Sequence, residues 1–143
     1  MVLVDSNIWI RANQLKGDLM AKVALEALLE EGEAAFCGPV KLEVLGAMRR
    51  ESRPRFDYYF SLVPYLTMAD STWDHAVSIG RIIADEPKLT LPWNDVLIAA
   101  IALRHDCRVY TLDEHFIPLA RHVGVRLYTP GIGGTFTHDH LQP

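Results

Sequence analysis

The sequence predicts a single α/β domain: a mainly parallel central sheet of about four or five short strands, with helices on both faces. Three observations carry that reading. Short apolar runs alternate with longer stretches of helical periodicity along the chain. Those runs are apolar at every position rather than at every second one, as in strands covered on both faces. And 143 residues, half of them hydrophobic and 22 % charged, supply one globular core and argue against disorder.

The elements follow in order. Val2-Leu3-Val4 is a buried strand, and Asp5-Ser6-Asn7, all helix-capping types, lead into a short helix at Ile8-Trp9-Ile10. Leu19 to Glu31 is a helix with Met20, Val23, Ala24, Ala27 and Leu28 on one face and Gly32 as its stop. Ala34 to Cys37 is a second strand; Gly38-Pro39 then opens a helix, with proline in the first turn, that runs to about Arg50. Four arginines (49, 50, 53 and 55) precede a helical aromatic segment, Phe56 to Phe60, and Tyr65 to Met68 reads as a third strand.

Ser71 with Asp74 resembles a capping box, opening a helix with Trp73, Ala76, Val77, Gly80 and Ala84 at helical spacing, stopped at Glu86-Pro87. Trp93 to His105 is apolar nearly all round, as a helix buried in the interior should be. Arg108 to Leu112 is a strand, Glu114 to His122 mostly helix, and Val125 to Tyr128 a final strand. The domain is expected to occupy 1–129. Residues 130–143 form a Gly- and Pro-containing tail whose His138 and His140 read as a solvated end rather than a metal pair.

Composition excludes several classes. No apolar run approaches the roughly 18–20 residues of a membrane helix. Met-Val-Leu-Val-Asp carries no basic leader, so a cytoplasmic protein is expected, with Cys37 and Cys107 as reduced thiols. They form neither a disulfide framework nor a zinc spacing. The net charge of −4, from 14 basic and 18 acidic residues, speaks against a nucleic-acid partner at first sight. With four acids set aside for a metal, the balance is 14 against 14, a neutral body.

Those four acids are Asp5, Glu43, Asp95 and Asp113. Open α/β sheets bind ligands beyond the carboxyl ends of their strands, and Asp5 and Asp113 each follow a strand. Asp95 occupies the first turn of the apolar helix. Glu43 lies one turn into the helix opened by Pro39, about 60° from Val40 and so at the border of that helix's apolar arc. A carboxylate leaning toward a core needs a partner, and a hard divalent cation would neutralise several together. Each acid alone also has a structural reading: Asp5 as a cap, Asp95 as a dipole partner, Asp113 as a turn residue, Glu43 half-exposed. Four acids at strand ends and helix starts, in the least polar parts of the chain, fit a shared site better.

With those residues in place the chain resembles the PIN-domain proteins, in particular the VapC-type toxins of bacterial and archaeal toxin–antitoxin pairs. The resemblance spans Met1 to about Tyr128. It rests on Val-Leu-Val-Asp-Ser-Asn-Ile-Trp-Ile at 2–10, Gly38-Pro39-Val40-Lys41-Leu42-Glu43-Val44, Asn94-Asp95-Val96-Leu97-Ile98-Ala99-Ala100, and Thr111-Leu112-Asp113-Glu114-His115-Phe116. Each block is weak alone; the ordered set is strong. It implies a single PIN-like domain and a Mg²⁺- or Mn²⁺-dependent endoribonuclease, usually dimeric and inhibited by a small antitoxin. Carried over, Asp5, Glu43, Asp95 and Asp113 are the catalytic, metal-binding acids, with Ser6 hydrogen-bonding beside them. The last acid varies in the family, so Asp113 is the least fixed ligand.

Such a site suits hydrolysis of an RNA phosphodiester, which needs an activated water and charge stabilisation at the phosphate. His115, two residues from Asp113, reads as a surface or structural histidine rather than as an acid–base group. The arginines at 49, 50, 53 and 55 read equally as RNA-phosphate contacts or a solvated helix end, and the Phe56–Phe60 aromatics as packing or an antitoxin groove. An exposed-looking Trp9-Ile10 region loosely supports a homodimer. A catalytically inactive PIN-fold module that binds RNA or an antitoxin is the main alternative. A haloacid dehalogenase-type phosphatase is disfavoured, because position 7 is Asn where a D-x-D opening needs Asp.

Overall fold

The structure, a computed structural model, describes residues 1–131. Its sheet has four strands, β1 (Val2–Val4), β2 (Ala34–Cys37), β3 (Tyr65–Leu66) and β4 (Arg108–Tyr110), all parallel, in the order β3-β2-β1-β4. Every residue of β1, β2 and β4 is buried, which is why their sequences carry no polar alternation. Between and after them run α1 (Ser6–Ala12), α2 (Leu19–Glu30), α3 (Gly38–Ala47), α4 (Arg53–Leu62), α5 (Asp70–Ala84), α6 (Trp93–Arg104) and α7 (Phe116–Val123). Right-handed crossovers put the helices before β3 on one face and those between β3 and β4 on the other. Accordingly α1 packs on α2 and α3, and α5 on α6 and α7. No described helix is long and apolar enough to cross a membrane.

The strand order positions the site. From β1 the chain crosses to β2 and on to the edge strand β3, then returns over the sheet to β4 on the other side of β1. The connections leaving β1 and β4 therefore run in opposite directions, which makes the space between their carboxyl ends the switch-point crevice where open α/β sheets bind ligands. Asp5 and Asp113 stand at its two sides.

Several boundaries differ from the sequence reading, each for a local reason. The final strand shrinks to one bridge among the described residues, Val109 to Leu127: Val125 and Tyr128 are buried, and Val109 hydrogen-bonds to Arg126 O and Tyr128 N. β3 is two residues long and β4 stops at Tyr110, because the Thr111 side chain and the Leu112 amide turn to bond Asp5 and Asn7. α3 ends at Ala47, where Met48 turns extended; a 3-10 turn over Arg50–Ser52 follows, and Pro54 sits in the first turn of α4. α5 opens at Asp70 with Ala69 as its cap. Ser71 caps nothing; its hydroxyl accepts from Arg104 Nη2 at 2.8 Å. α7 begins at Phe116, after a turn in which Asp113 Oδ1 accepts the His115 amide.

Two helices bury a different face from the one their spacing suggested. α2 is apolar over most of its surface, and packing selects Ala21, Ala24, Leu25 and Leu28, leaving Met20 outside. Its chain leaves through Gly32 at φ +68°, a left-handed position that favours glycine. α5 buries Thr72, Ile79, Gly80 and Ile83 instead of the stripe through Trp73 and Val77, both of which stand in solvent. Of that stripe only Gly80 goes inside. A Cβ there would come 3.0 Å from the Trp93 ring, so its lack of a side chain lets α5 approach α6.

Trp9 is fully buried, against the expectation of an exposed Trp9-Ile10 patch. Its indole Nε1 donates to Val4 O at 3.1 Å, and its ring lies 5.0 Å from Phe60 and 6.5 Å from Tyr59. Phe56 and Phe60 are buried as well, so the aromatic segment packs the core. The tail histidines His138 and His140 lie outside the described residues. Replacing Trp9 with Ala should cost about 3–5 kcal/mol by denaturant unfolding. The same change at Leu15, which is fully exposed, should stay within about 0.5 kcal/mol. Equal effects would contradict the assignment of Trp9 as the bolt between α1, α4 and β1.

Candidate metal centre

Asp5 leaves β1 in extended conformation as the N-cap of α1, and its own amide donates to Tyr110 O at 2.9 Å, extending the β1–β4 pairing. Its carboxylate is buried, with the residue 3 % exposed. Oδ1 accepts the Ser6 amide at 2.8 Å; Oδ2 accepts Asn7 Nδ2 at 3.0 Å and the Thr111 hydroxyl at 2.7 Å. Thr111 Oγ1 in turn accepts Asn7 Nδ2 at 3.1 Å and the Asp113 amide at 3.0 Å, while Asn7 Oδ1 accepts the Leu112 amide at 3.2 Å. One hydrogen-bonded network thus ties the loop after β1 to the loop after β4 and fixes the backbone of Asp113.

The other acids enter from helices. Asp95, in the first turn of α6, is 8 % exposed although charged side chains rarely go inside unpaired. Glu43, half-buried on α3, accepts a hydrogen bond from Asn94 Nδ2, so the residue beside Asp95 holds Glu43 toward the same edge. Asp113 is half-buried in the loop after β4. Between Asp95 and Asp113 stands His115: its Nδ1 is 3.0 Å from Asp95 Oδ2 and 3.1 Å from Asp113 Oδ1. Ligand atoms of Asp95, Asp113 and His115 all lie within 4.8 Å of one another.

Charge accumulates here. Burial raises the pKa of Asp5, with the charges of Glu43 and Asp113 adding to it and the Thr111 and Ser6 hydrogen bonds opposing. Burial likewise pushes Asp95 up to about 6, with Asp113 and Asp5 adding and His115 opposing. All four acids therefore share one electrostatic neighbourhood, and among the described residues no lysine or arginine forms an ion pair with any of them. Cys37, at the start of α3, is pushed up to about 12 by burial and by Asp5 and Glu43, and stays a protonated thiol. What remains is a convergent set of hard oxygen donors plus one imidazole, whose mutual repulsion a divalent cation would relieve. The residues fit Mg²⁺ or Mn²⁺.

The expected site residues divide by role. Asp95 and Asp113 converge; Asp5 is adjacent, with three hydrogen bonds already taken; Glu43 is oriented by Asn94. Ser6 reaches Asp5 through its backbone amide. Sequence reasoning passed over Asn7, Thr111 and Asn94, whose only signal is their spacing: two residues after Asp5, two before Asp113, one before Asp95. It also set His115 apart from the acids that its ring joins. The arginines at 49, 50, 53 and 55 lie away from this centre, around the break between α3 and α4. Arg49 and Arg55 there line a groove with Ile10, Val44, Met48 and Phe56.

Known proteins place the fold. The family model for the PIN domain matches residues 2–121. VapC ribonuclease Mb1587 of Mycobacterium bovis is 30 % identical over 125 residues, which cover 85 % of this chain and 92 % of that protein. Ribonuclease VapC11 of Mycobacterium tuberculosis matches to the same extent. Among solved structures, VapBC2 from Rickettsia felis bound to a promoter DNA fragment is similar with a TM-score of 0.70 at 18 % identity, covering 89 % of this chain and 97 % of that one. A toxin–antitoxin complex from Klebsiella pneumoniae is similar with a TM-score of 0.66 at 24 % identity, covering 81 % and 90 %. With the family model spanning nearly the whole described chain, and with VapC ribonucleases similar to it over 85 % of its length, the protein belongs to the PIN domain family.

Proposed function

We propose that the protein is a Mg²⁺- or Mn²⁺-dependent endoribonuclease that hydrolyses RNA phosphodiester bonds, acting as the toxin of a type II toxin–antitoxin pair. One observation carries the reading: Asp5, Glu43, Asp95 and Asp113 feel one another's charge in a PIN domain that is 30 % identical to VapC ribonucleases. These four acids would hold the ion between them. A divalent cation there would supply an activated water and neutralise charge on the scissile phosphate. The chain's own residues set up that chemistry. Asp95 and Asp113 present oxygens to one point, and Asp5 adds charge from a carboxylate held rigid by Ser6, Asn7 and Thr111. Asn94 keeps Glu43 turned to the same edge.

Two surfaces fit the partners of such a toxin. The groove beside α1, α3 and α4 has apolar walls and an arginine rim, suited to an amphipathic antitoxin segment bearing acidic residues. The exposed apolar face of Trp73, Val77 and Trp93 supports a homodimer, since apolar surface of this kind is usually covered. The similar toxin–antitoxin complexes support the antitoxin, and the proposed toxin works in the cytoplasm where its RNA is.

The direct test is total RNA incubated with purified, antitoxin-free protein, with Mg²⁺ or Mn²⁺, with chelator, and with Asp5→Asn alongside. Discrete metal-dependent fragments are expected. Asp5→Asn should lower cleavage at least about 100-fold, the upper end of the loss when a group supporting a metal is removed. It should stay folded, because Asn is isosteric and removes a charge that burial disfavours. Folded protein that cuts nothing under any condition would point to a PIN-fold binding module instead.

The raised pKa of Asp95 gives a pH dependence. Its ordinary value is 3.8 and its folded value about 6, so between them the folded state holds a proton that the unfolded state has released. Stability of the metal-free protein from this group is full below about pH 4 and falls as pH rises through about 6. A cation competes with that proton. Mn²⁺ should therefore raise the thermal midpoint at pH 7.5 and have little effect at pH 4.5; an equal rise at both values would rule out a site built on Asp95.

A further inference from the structure

We infer that His115 is itself a ligand of the metal centre, so that the centre is a mixed nitrogen–oxygen site taking Mn²⁺ ahead of Mg²⁺. The inference rests on the metal-dependent reading above and deepens it by choosing between the two ions.

The geometry is that of adjacent ligands on one cation. Two donors about 2.1 Å from a metal and at right angles lie about 3.0 Å apart. His115 Nδ1 stands 3.0 Å from Asp95 Oδ2 and 3.1 Å from Asp113 Oδ1, so it occupies the corner next to both carboxylates. In the metal-free molecule the ring and the two carboxylates touch directly. A cation can enter between them with small movements of three side chains. The ring is also well placed to stay put: the His115 amide donates to Asp113 Oδ1 at 2.9 Å, and Phe116, the next residue, is fully buried. The half-exposed side chain leaves the far side of the centre open to solvent and substrate.

Donor chemistry then selects the ion. Mg²⁺ prefers oxygen ligands and retained waters, whereas Mn²⁺ shares its liking for carboxylates but, as the first member of a transition series that binds imidazole, accepts a nitrogen donor more readily than Mg²⁺ does. The four acids without His115 would suit Mg²⁺; His115 beside Asp95 and Asp113 shifts the preference.

The test reads the metal, not the reaction. Untagged full-length protein, stripped of metal and reloaded with Mn²⁺, is examined by pulsed electron paramagnetic resonance for a directly bonded ¹⁴N nucleus. Mn²⁺ and Mg²⁺ affinities are measured by competition for the wild type, His115→Ala, His115→Gln and Asp95→Asn. The wild type should show the nitrogen coupling and both His115 variants should lack it. Their Mn²⁺ over Mg²⁺ preference should fall about tenfold. Gln keeps a hydrogen-bonding side chain without an imidazole, so recovery of wild-type Mn²⁺ affinity in His115→Gln would assign His115 a hydrogen-bonding role and overturn the inference. So would a nitrogen coupling that survives in His115→Ala. If the wild type binds Mn²⁺ no better than Asp95→Asn, the metal-centre reading itself fails and this inference falls with it.

Discussion

The site depends on how one buried carboxylate is satisfied. Asp5 lies at the carboxyl end of the central strand, where an unpaired charge would be costly, and its oxygens receive three N–H or O–H donors from Ser6, Asn7 and Thr111. Those bonds do more than offset burial. Asn7 and Thr111 also bond each other, and through the amides of Leu112 and Asp113 they close the loop after β4 onto the loop after β1. Two parallel strands whose connections diverge are thus clasped at the point where they would otherwise splay.

That clasp explains the division of labour among the acids. Asp5 spends its hydrogen-bonding capacity on structure, while Asp95 and Asp113 keep oxygens directed at each other and at His115. Burial and mutual repulsion raise both Asp5 and Asp95, so the cluster stores unfavourable charge. Removing a single acid relieves part of that repulsion, and this is why loss of a site residue need not mean loss of the fold.

Much of this was legible in the sequence, and the exceptions share a cause. Val2–Val4 and Ala34–Cys37 are strands with the expected bounds, the strand expected over Arg108 to Leu112 is found over Arg108–Tyr110, and Asp5 and Asp113 follow β1 and β4 along the chain. Which face a helix buries was less legible. α2 and α5 each carry more apolar residues than one face can hold, and the choice is made by neighbours far away in sequence. Trp9 is buried against expectation because its indole donates to Val4 O and packs against Phe60, contacts that local spacing does not reveal. Asn7, Thr111, Asn94 and His115 escaped for a related reason. Their roles are bonds to residues as many as 106 positions apart, as Thr111 is from Asp5, and nothing in local spacing distinguishes a polar residue that makes such a bond from one that meets water.

The same placement bears on the apparent conflict between an acidic protein and an RNA substrate. A net charge of −4 sits in a chain with 14 basic residues, and the four site acids account for the whole excess of 18 over 14. The repulsion that RNA phosphate meets is therefore concentrated at the point where the proposed chemistry occurs, not spread over the surface. On the proposed function a divalent cation at that point would offset two of those four charges, so the ion weakens the repulsion where the phosphate must approach. The acidic excess that argues against nucleic acid when counted over the whole chain is then largely the ligand set of the proposed centre.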